Sequence, residues 1–216
     1  MRIDFFFDPS CPWCWATSRW LTEVAPQRDV DIRWRSFSLY EKNKELESEY
    51  AQKHRSSSQA AHRLLRVAEA LRADTGNDAV AAFYTETGAR VHQDGQELED
   101  VDAGDVLRAI GAAASHASST TDDTWDAVIR ASMEEALALA GGEIGVPCIA
   151  YDQKAAYFGP VISPAPQGER ALELFDALAT MARMDGFFEL KRTRDRRPEF
   201  HERPETPNLA ATSQAR

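Results

Sequence analysis

Ile3-Asp4-Phe5-Phe6-Phe7-Asp8-Pro9-Ser10-Cys11-Pro12-Trp13-Cys14 is the stretch on which the reading of this chain turns. An apolar run with strand character, Arg2 to Phe7, gives way to two cysteines spaced CxxC. The pattern beyond them predicts a helix from about Pro12 to Ala25 that stops before Pro26, with Ser10 as its expected N-cap. Cys11 therefore stands where a strand hands over to a helix. Val30 to Phe37 alternates apolar with polar side chains, the period of a half-buried strand, so strand, helix and parallel strand make a βαβ unit.

From about Glu41 to Ala140 the period becomes helical. Leu64, Val67, Ala68 and Leu71 share one face, as do Val106 and Ile110, and Trp125, Val128, Ile129, Ala136 and Ala140 continue the pattern. The turn cluster Asp74-Thr75-Gly76-Asn77-Asp78 and the polar break Ser118 to Asp123, with Thr121 or Asp122 as a cap, mark joints within this block. After Gly141-Gly142, two short strands, Pro147 to Tyr151 and Ala155 to Phe158, flank the turn Asp152-Gln153-Lys154, and a last helix is expected over Gln167 to Met184. The expected organisation is an α/β domain from residues 1–40 and 141–200, an all-helical insertion at 41–140, and a disordered tail at 201–216 rich in proline and small polar residues.

With 216 residues at 43% hydrophobic, the chain can bury a sizeable core. Its 35 acidic residues outnumber 25 Lys and Arg, for a formal charge of −10, which argues against general affinity for nucleic acid or anionic lipid and favours small-molecule or protein partners. A homodimer is compatible with this composition. The N-terminus lacks a basic segment followed by a long apolar stretch and no later run could span a bilayer, so a cytoplasmic location is expected. Three cysteines cannot build a disulfide framework, and in a reducing compartment a lone CxxC is more often catalytic or metal-binding than structural.

A free thiol titrates near ~8.5, whereas one at a helix N-terminus in a CxxC motif can fall to ~3.5–7.5, because unpaired N–H groups and the helix dipole favour a sulfur anion. Cys11 is thus placed to attack, and Cys14, one turn deeper, to resolve. The alternative is half of a zinc site. Zinc takes about four ligands, and the chain has no second CxxC and no clustered histidines, so no metal is expected. Pro147 follows Val146 at the start of a predicted strand, where thioredoxin-like proteins set a cis-proline against the reactive sulfur; the alternative is an ordinary trans turn. Cys148 comes next and reads as a small core residue, the alternative being a third redox-active sulfur that traps a disulfide with Cys11.

Pro12 and Trp13 lie between the two cysteines, and an exposed Trp13 could stack on a ligand, while Trp15 and Trp20 read as core. His92 could donate a hydrogen bond near the thiol or simply be solvated. Asn43 and Tyr50 follow the second strand and could line a cleft or serve as cap and packing residues. Lys191-Arg192-Thr193-Arg194 with Arg196 and Arg197 is a short basic run read as solvated.

Phe7-Asp8-Pro9-Ser10-Cys11-Pro12-Trp13-Cys14-Trp15 with Thr17-Ser18-Arg19-Trp20, then Ser38-Leu39, Asn43, Gly88, Arg90, His92 and Gly95, resemble the mycothiol-dependent reductases, or nitroreductases, of actinobacteria. Gly145-Val146-Pro147, Phe158-Gly159-Pro160-Val161 and Phe187 to Arg194 extend the likeness, which runs from about Ile3 to Phe200. It implies a cytosolic, DsbA-like thioredoxin fold in which a helical domain is inserted into a βαβ/ββα core and covers the active site. It also implies that Cys11 attacks a disulfide or activated small molecule, that Cys14 resolves, and that mycothiol, a co-substrate rather than a tightly bound cofactor, returns electrons through a mixed disulfide. Trp13, Asn43, Tyr50 and His92 would border the substrate cleft. Cys148 departs from the pattern, since a non-thiol residue such as Thr is expected after the cis-proline.

The leading expectation is a thiol-disulfide oxidoreductase run in the reducing direction by a low-molecular-weight thiol. The same fold also supports a thiol-binding isomerase of the 2-hydroxychromene-2-carboxylate or kappa glutathione-transferase type. A third reading is a non-catalytic binding module.

Overall fold

The computed structural model of the chain describes residues 1–213, without the side chains of Tyr50 and of residues 212 and 213. In chain order the elements are β1 (Arg2–Phe7), α1 (Pro12–Val24), β2 (Asp31–Ser36), α2 (Leu39–Asn43), α3 (Glu49–Lys53), α4 (Arg55–Asp74), α5 (Asn77–His92), α6 (Ala103–Ala109), α7 (Asp126–Ala140), β3 (Cys148–Tyr151), β4 (Ala155–Phe158), α8 (Glu169–Ala182) and α9 (Leu209–Ser213).

The four strands form one sheet in the order β2-β1-β3-β4. β1 and β3 are antiparallel, with Ile3 opposite Tyr151 and Phe6 opposite Cys148, and β3 turns back into β4 with Cys148 opposite Phe158. An interior strand covered on both faces needs apolar residues at successive positions rather than in alternation. That is why Ile3, Phe5, Phe6 and Phe7 are all at most 1% exposed. Burial of each phenylalanine is worth about 1.5–3 kcal/mol. The return from β3 runs through Asp152 and Gln153, at φ of 48° and 58°, the left-handed pair that suits a tight hairpin.

Contacts divide the chain into two compact units. The first comprises Met1–Phe7, Cys11–Arg35 and Glu134–His201. Within it α1 lies along α8: the Trp20 indole donates to the Ala171 carbonyl at 3.0 Å and its ring meets Phe175 at 6.1 Å. Trp15 and Trp20 are both buried, as the pattern led one to expect.

The second unit comprises Asp8–Ser10, Ser36–Met133 and the chain from Glu202 onward. Here α4 packs on α5 and on a 3₁₀ turn at Ala114–Thr121, with Leu64, Val67, Ala68, Leu71, Val106 and Ile110 buried. Val128 departs from the expected face: it is 42% exposed while Ile129 is fully buried, the two lying about 100° apart around the helix.

The tail, for which composition suggested disorder, makes definite contacts. Arg203 reaches both Asp94 and Glu86, Thr206 donates to Glu86 at 2.8 Å, and the Leu209 amide reaches the Ile110 carbonyl at 2.9 Å. Charge pairing holds a segment that composition alone reads as too polar to fold, and residues 214–216 lie outside the described part of the chain. Among the described residues no helix is long and apolar enough to cross a membrane.

Candidate active site

Cys11 is the N-cap of α1, in extended backbone at φ −91° and ψ 108°, and Pro12 supplies the first helical residue. Proline suits that position because its missing N–H is one that a helix start leaves unpaired anyway. The Cys11 sulfur accepts the Cys14 amide at 3.4 Å, the role a serine or aspartate oxygen plays in an ordinary cap. Ser10 is therefore not the cap. Its hydroxyl and amide are both engaged by the Asp8 carboxylate, at 2.6 and 2.8 Å.

The Cys11 thiol also donates to the Val146 carbonyl at 3.4 Å, and the Val146–Pro147 peptide bond is cis. Two residues distant in sequence, Val146 and Pro147, thus meet the helix start inside one unit. Gly159 supports this loop: its amide donates to the Pro147 carbonyl at 2.7 Å, it sits at φ +113°, and a side chain there would crowd the Val161 amide at 3.1 Å. The Thr17 hydroxyl donates to the Pro160 carbonyl at 2.7 Å, fixing α1 to the segment after β4. Cys11 is 7% exposed and Cys14 is fully buried, and no disulfide joins Cys11, Cys14 or Cys148. Burial pushes the Cys148 thiol up to about 12. Trp13 is half-buried, and the Arg194 guanidinium lies 5.2 Å from the centre of its ring.

The remaining candidates belong to the helical unit. His92 is the last residue of α5, and its Nε2 donates to the Pro9 carbonyl at 2.9 Å. Desolvation pulls its imidazole down to about 4, so it is neutral at physiological pH. Asp8 is fully buried and takes the Leu39 amide at 2.7 Å besides Ser10, yet burial pushes it up to about 6. Asn43 closes α2, half-buried, with its carbonyl accepting the Leu46 amide at 2.9 Å. Tyr50 falls in α3, and its side chain lies outside the described residues.

Sequence reasoning did not single out a second polar cluster in this unit. Ser38 caps α2, its oxygen accepting the Glu41 amide at 3.1 Å. His62 Nδ1 lies 2.9 Å from the same oxygen, and Nε2 lies 3.0 Å from Asp126 Oδ1. A carboxylate facing Nε2 sets the tautomer, so the Ser38 hydroxyl donates to Nδ1. Desolvation holds His62 below its ordinary value. For Asp126 desolvation acts upward, but Arg66 and His62 together hold the carboxyl below the usual range. The cluster lies beside a cavity of about 210 Å³. Glu41, His62 and Asp126 bring their ligand atoms within 4.8 Å of one another, the spacing of a cation site. The charge is already balanced, however, by Arg66 on both Asp126 oxygens and by Lys44 and Arg130 on Glu41. Only spacing along three helices could have flagged this cluster, and that spacing is invisible before the helices pack.

Comparison with known proteins gives likenesses of three kinds. The family described as "Mycothiol-dependent nitroreductase Rv2466c" matches residues 10–192. Rv2286c of Mycobacterium tuberculosis is 32% identical over 194 residues, covering 88% of this chain and 81% of that protein. Among solved structures, the cytosolic disulfide reductase DsbM of Pseudomonas aeruginosa with GSH superimposes with a TM-score of 0.53 at 13% identity, over 83% of this chain and 100% of that one. A 2-hydroxychromene-2-carboxylate isomerase does so with 0.56 at 15% identity, over 85% and 97%. At such identities the structures show the fold alone: α/β, a DsbA-like thioredoxin fold with a long helical stretch between β2 and β3.

Proposed function

The chain belongs to the Rv2466c-like family of mycothiol-dependent nitroreductases, and from that premise we propose that it is a cytoplasmic thiol-disulfide oxidoreductase working through Cys11 and Cys14. The observation that carries this reading is the Cys11 sulfur at the mouth of α1, receiving the Cys14 N–H and lying against Val146 of the cis Val146–Pro147 bond. An anionic sulfur keeps the N–H contact, whereas the carbonyl can pair only with S–H. Pro12, Trp13, Val146 and Pro147 shape this corner.

In the proposed reaction the Cys11 thiolate attacks one sulfur of a disulfide, that S–S bond breaks, and one thiolate leaves. The Cys14 thiolate then attacks Cys11 Sγ, expels the second thiolate and closes the Cys11–Cys14 disulfide. Two electrons pass to the substrate and two thiol protons to water or product. An aromatic nitro group accepts the same two electrons and two protons, giving nitroso and water. One mycothiol reopens the protein disulfide as a mixed disulfide on Cys11, and a second leaves as mycothiol disulfide, returning the dithiol. Asn43, Tyr50 and His92 are proposed to bind substrate or thiol, a reading supported by the family likeness.

Cys14→Ser tests the dithiol step. Given a disulfide substrate and no mycothiol, the variant is expected to stall with one half of that substrate on Cys11, seen as a mass adduct that reduction removes, and to release one thiol where wild type releases two. Release of two thiols by Cys14→Ser, or no adduct at Cys11, rejects the reading.

A further inference from the structure

Arg194 lies in the exposed stretch after α8, on a chain whose formal charge is −10. Lys191, Arg192, Arg194, Arg196 and Arg197 oppose a single Asp195, so seven residues carry five positive charges and one negative, a net +4. This stretch is pinned at both ends within its own unit. Tyr157 donates to the Phe187 carbonyl at 2.9 Å, Ser163 to the Arg197 carbonyl at 2.8 Å, and His201 to the Ala165 carbonyl at 2.6 Å. Between these anchors Arg194 leans over Trp13, 5.2 Å from the ring centre.

The other fixed arginine of the run, Arg196, is occupied by Asp195 at 2.8 Å. Among the described residues no carboxylate or carbonyl takes an Arg194 N–H. A guanidinium resting on an aromatic face keeps its five in-plane donors, the fork that matches a carboxylate bidentately. Since Trp13 stands between the two cysteines, an anion held there belongs to a molecule whose reactive bond is within reach of Cys11.

We propose that Arg194, stacked on Trp13, is the specificity-determining residue of the site and selects small electrophiles that carry a carboxylate close to the reacting bond. The proposal rests on the dithiol reading above. The cation offsets the charge of such a substrate as it approaches a sulfur anion, which would otherwise repel it. A neutral substrate gains nothing equivalent.

The test uses the reduced full-length protein and two aryl disulfides, dithiobis(nitrobenzoate), a dianion, and dithiodipyridine, which is neutral. Each is attacked at one sulfur by Cys11 with loss of an aryl thiolate. Cys14 then displaces the second, so both steps are read by absorbance without mycothiol. The quantity measured is the ratio of the two rate constants. Arg194→Gln is expected to lower that ratio about tenfold at low salt, with Arg194→Lys within about threefold of wild type and the loss shrinking near ~1 M salt. Arg196→Gln, which removes equal charge from a paired side chain, should shift it less than about twofold. An unchanged ratio in Arg194→Gln, or equal shifts in both glutamine variants, overturns the assignment while leaving the dithiol reading intact. If wild type reduces neither disulfide, the dithiol reading falls and takes this proposal with it.

Discussion

Cys11 and Ser38 cap α1 and α2 with almost the same backbone, φ −91° and ψ 108° against φ −87° and ψ 114°. Each points its heteroatom at the amide three residues ahead. What surrounds them differs. Among the described residues the cysteine sulfur takes hydrogen bonds only with a backbone N–H and a backbone carbonyl, and Cys11 keeps 7% of its surface exposed. Ser38 is fully buried under His62, which is tied to Asp126, itself tied to Arg66. Serine, histidine and aspartate in sequence of contact resemble an activated nucleophile, yet a hydroxyl without access to solvent has nothing to attack. The same cap therefore presents a reachable sulfur in one unit and a sealed hydroxyl in the other, and the difference lies in access and in whether every charge is already matched.

Five measurements would break or sharpen that contrast. Cys11→Ser should reduce thiol-disulfide exchange by about 10³-fold or more, since a hydroxyl at this cap cannot ionise to a nucleophile at neutral pH; retained exchange would move the chemistry elsewhere. Asp126→Ala should cost about 3 kcal/mol in urea unfolding, because it leaves Arg66 and His62 unmatched, while Cys11 reactivity changes little.

The third measurement concerns pH. Asp8, raised to about 6, lends stability that is complete below its unfolded value near 3.8 and is lost as pH rises through 6. His92, lowered to about 4, lends stability that is complete above 6.5 and is lost as pH falls through 4. Between pH 4 and 6 the two oppose each other. Relative to wild type, His92→Gln should gain and Asp8→Asn should lose stability on acidification, each by roughly 2–3 kcal/mol across the window, followed by thermal melts. Parallel slopes for the two variants would show that other groups govern the acid response.

The smallest effects separate cap from catalyst. Ser38→Ala should lower stability by about 1–2 kcal/mol and leave the exchange rate within about twofold. Cys148→Ala should change that rate even less, because its fully buried thiol is held near 12. A Cys148 disulfide in the oxidised protein, found by peptide mapping, would contradict this.

Much of the fold was legible in the sequence. β1 and β4 fall where apolar runs placed them, and the other strands and outer helices differ by one or two residues at their ends. The CxxC stood out because its chemistry depends on three neighbouring residues and a helix start, all local. The N-cap was misplaced by one residue because a sulfur competed with a hydroxyl already taken by Asp8, and local pattern does not say which side chain is free. The tail's contacts could not be foreseen because its partners, Glu86 and Asp94, lie more than a hundred residues away.

The order of strands and helices, the family and the pair of thiols could be read from residues alone, since each depends on periodicity or on neighbours a few positions apart. Packing alone decided that Val146 meets Cys11, that Arg194 rests on Trp13, that Cys148 is sealed and that Ser38, His62 and Asp126 share one network. Burial, access and the matching of charges are properties of what lies a few ångströms away in space. In a folded chain those neighbours are mostly remote in sequence.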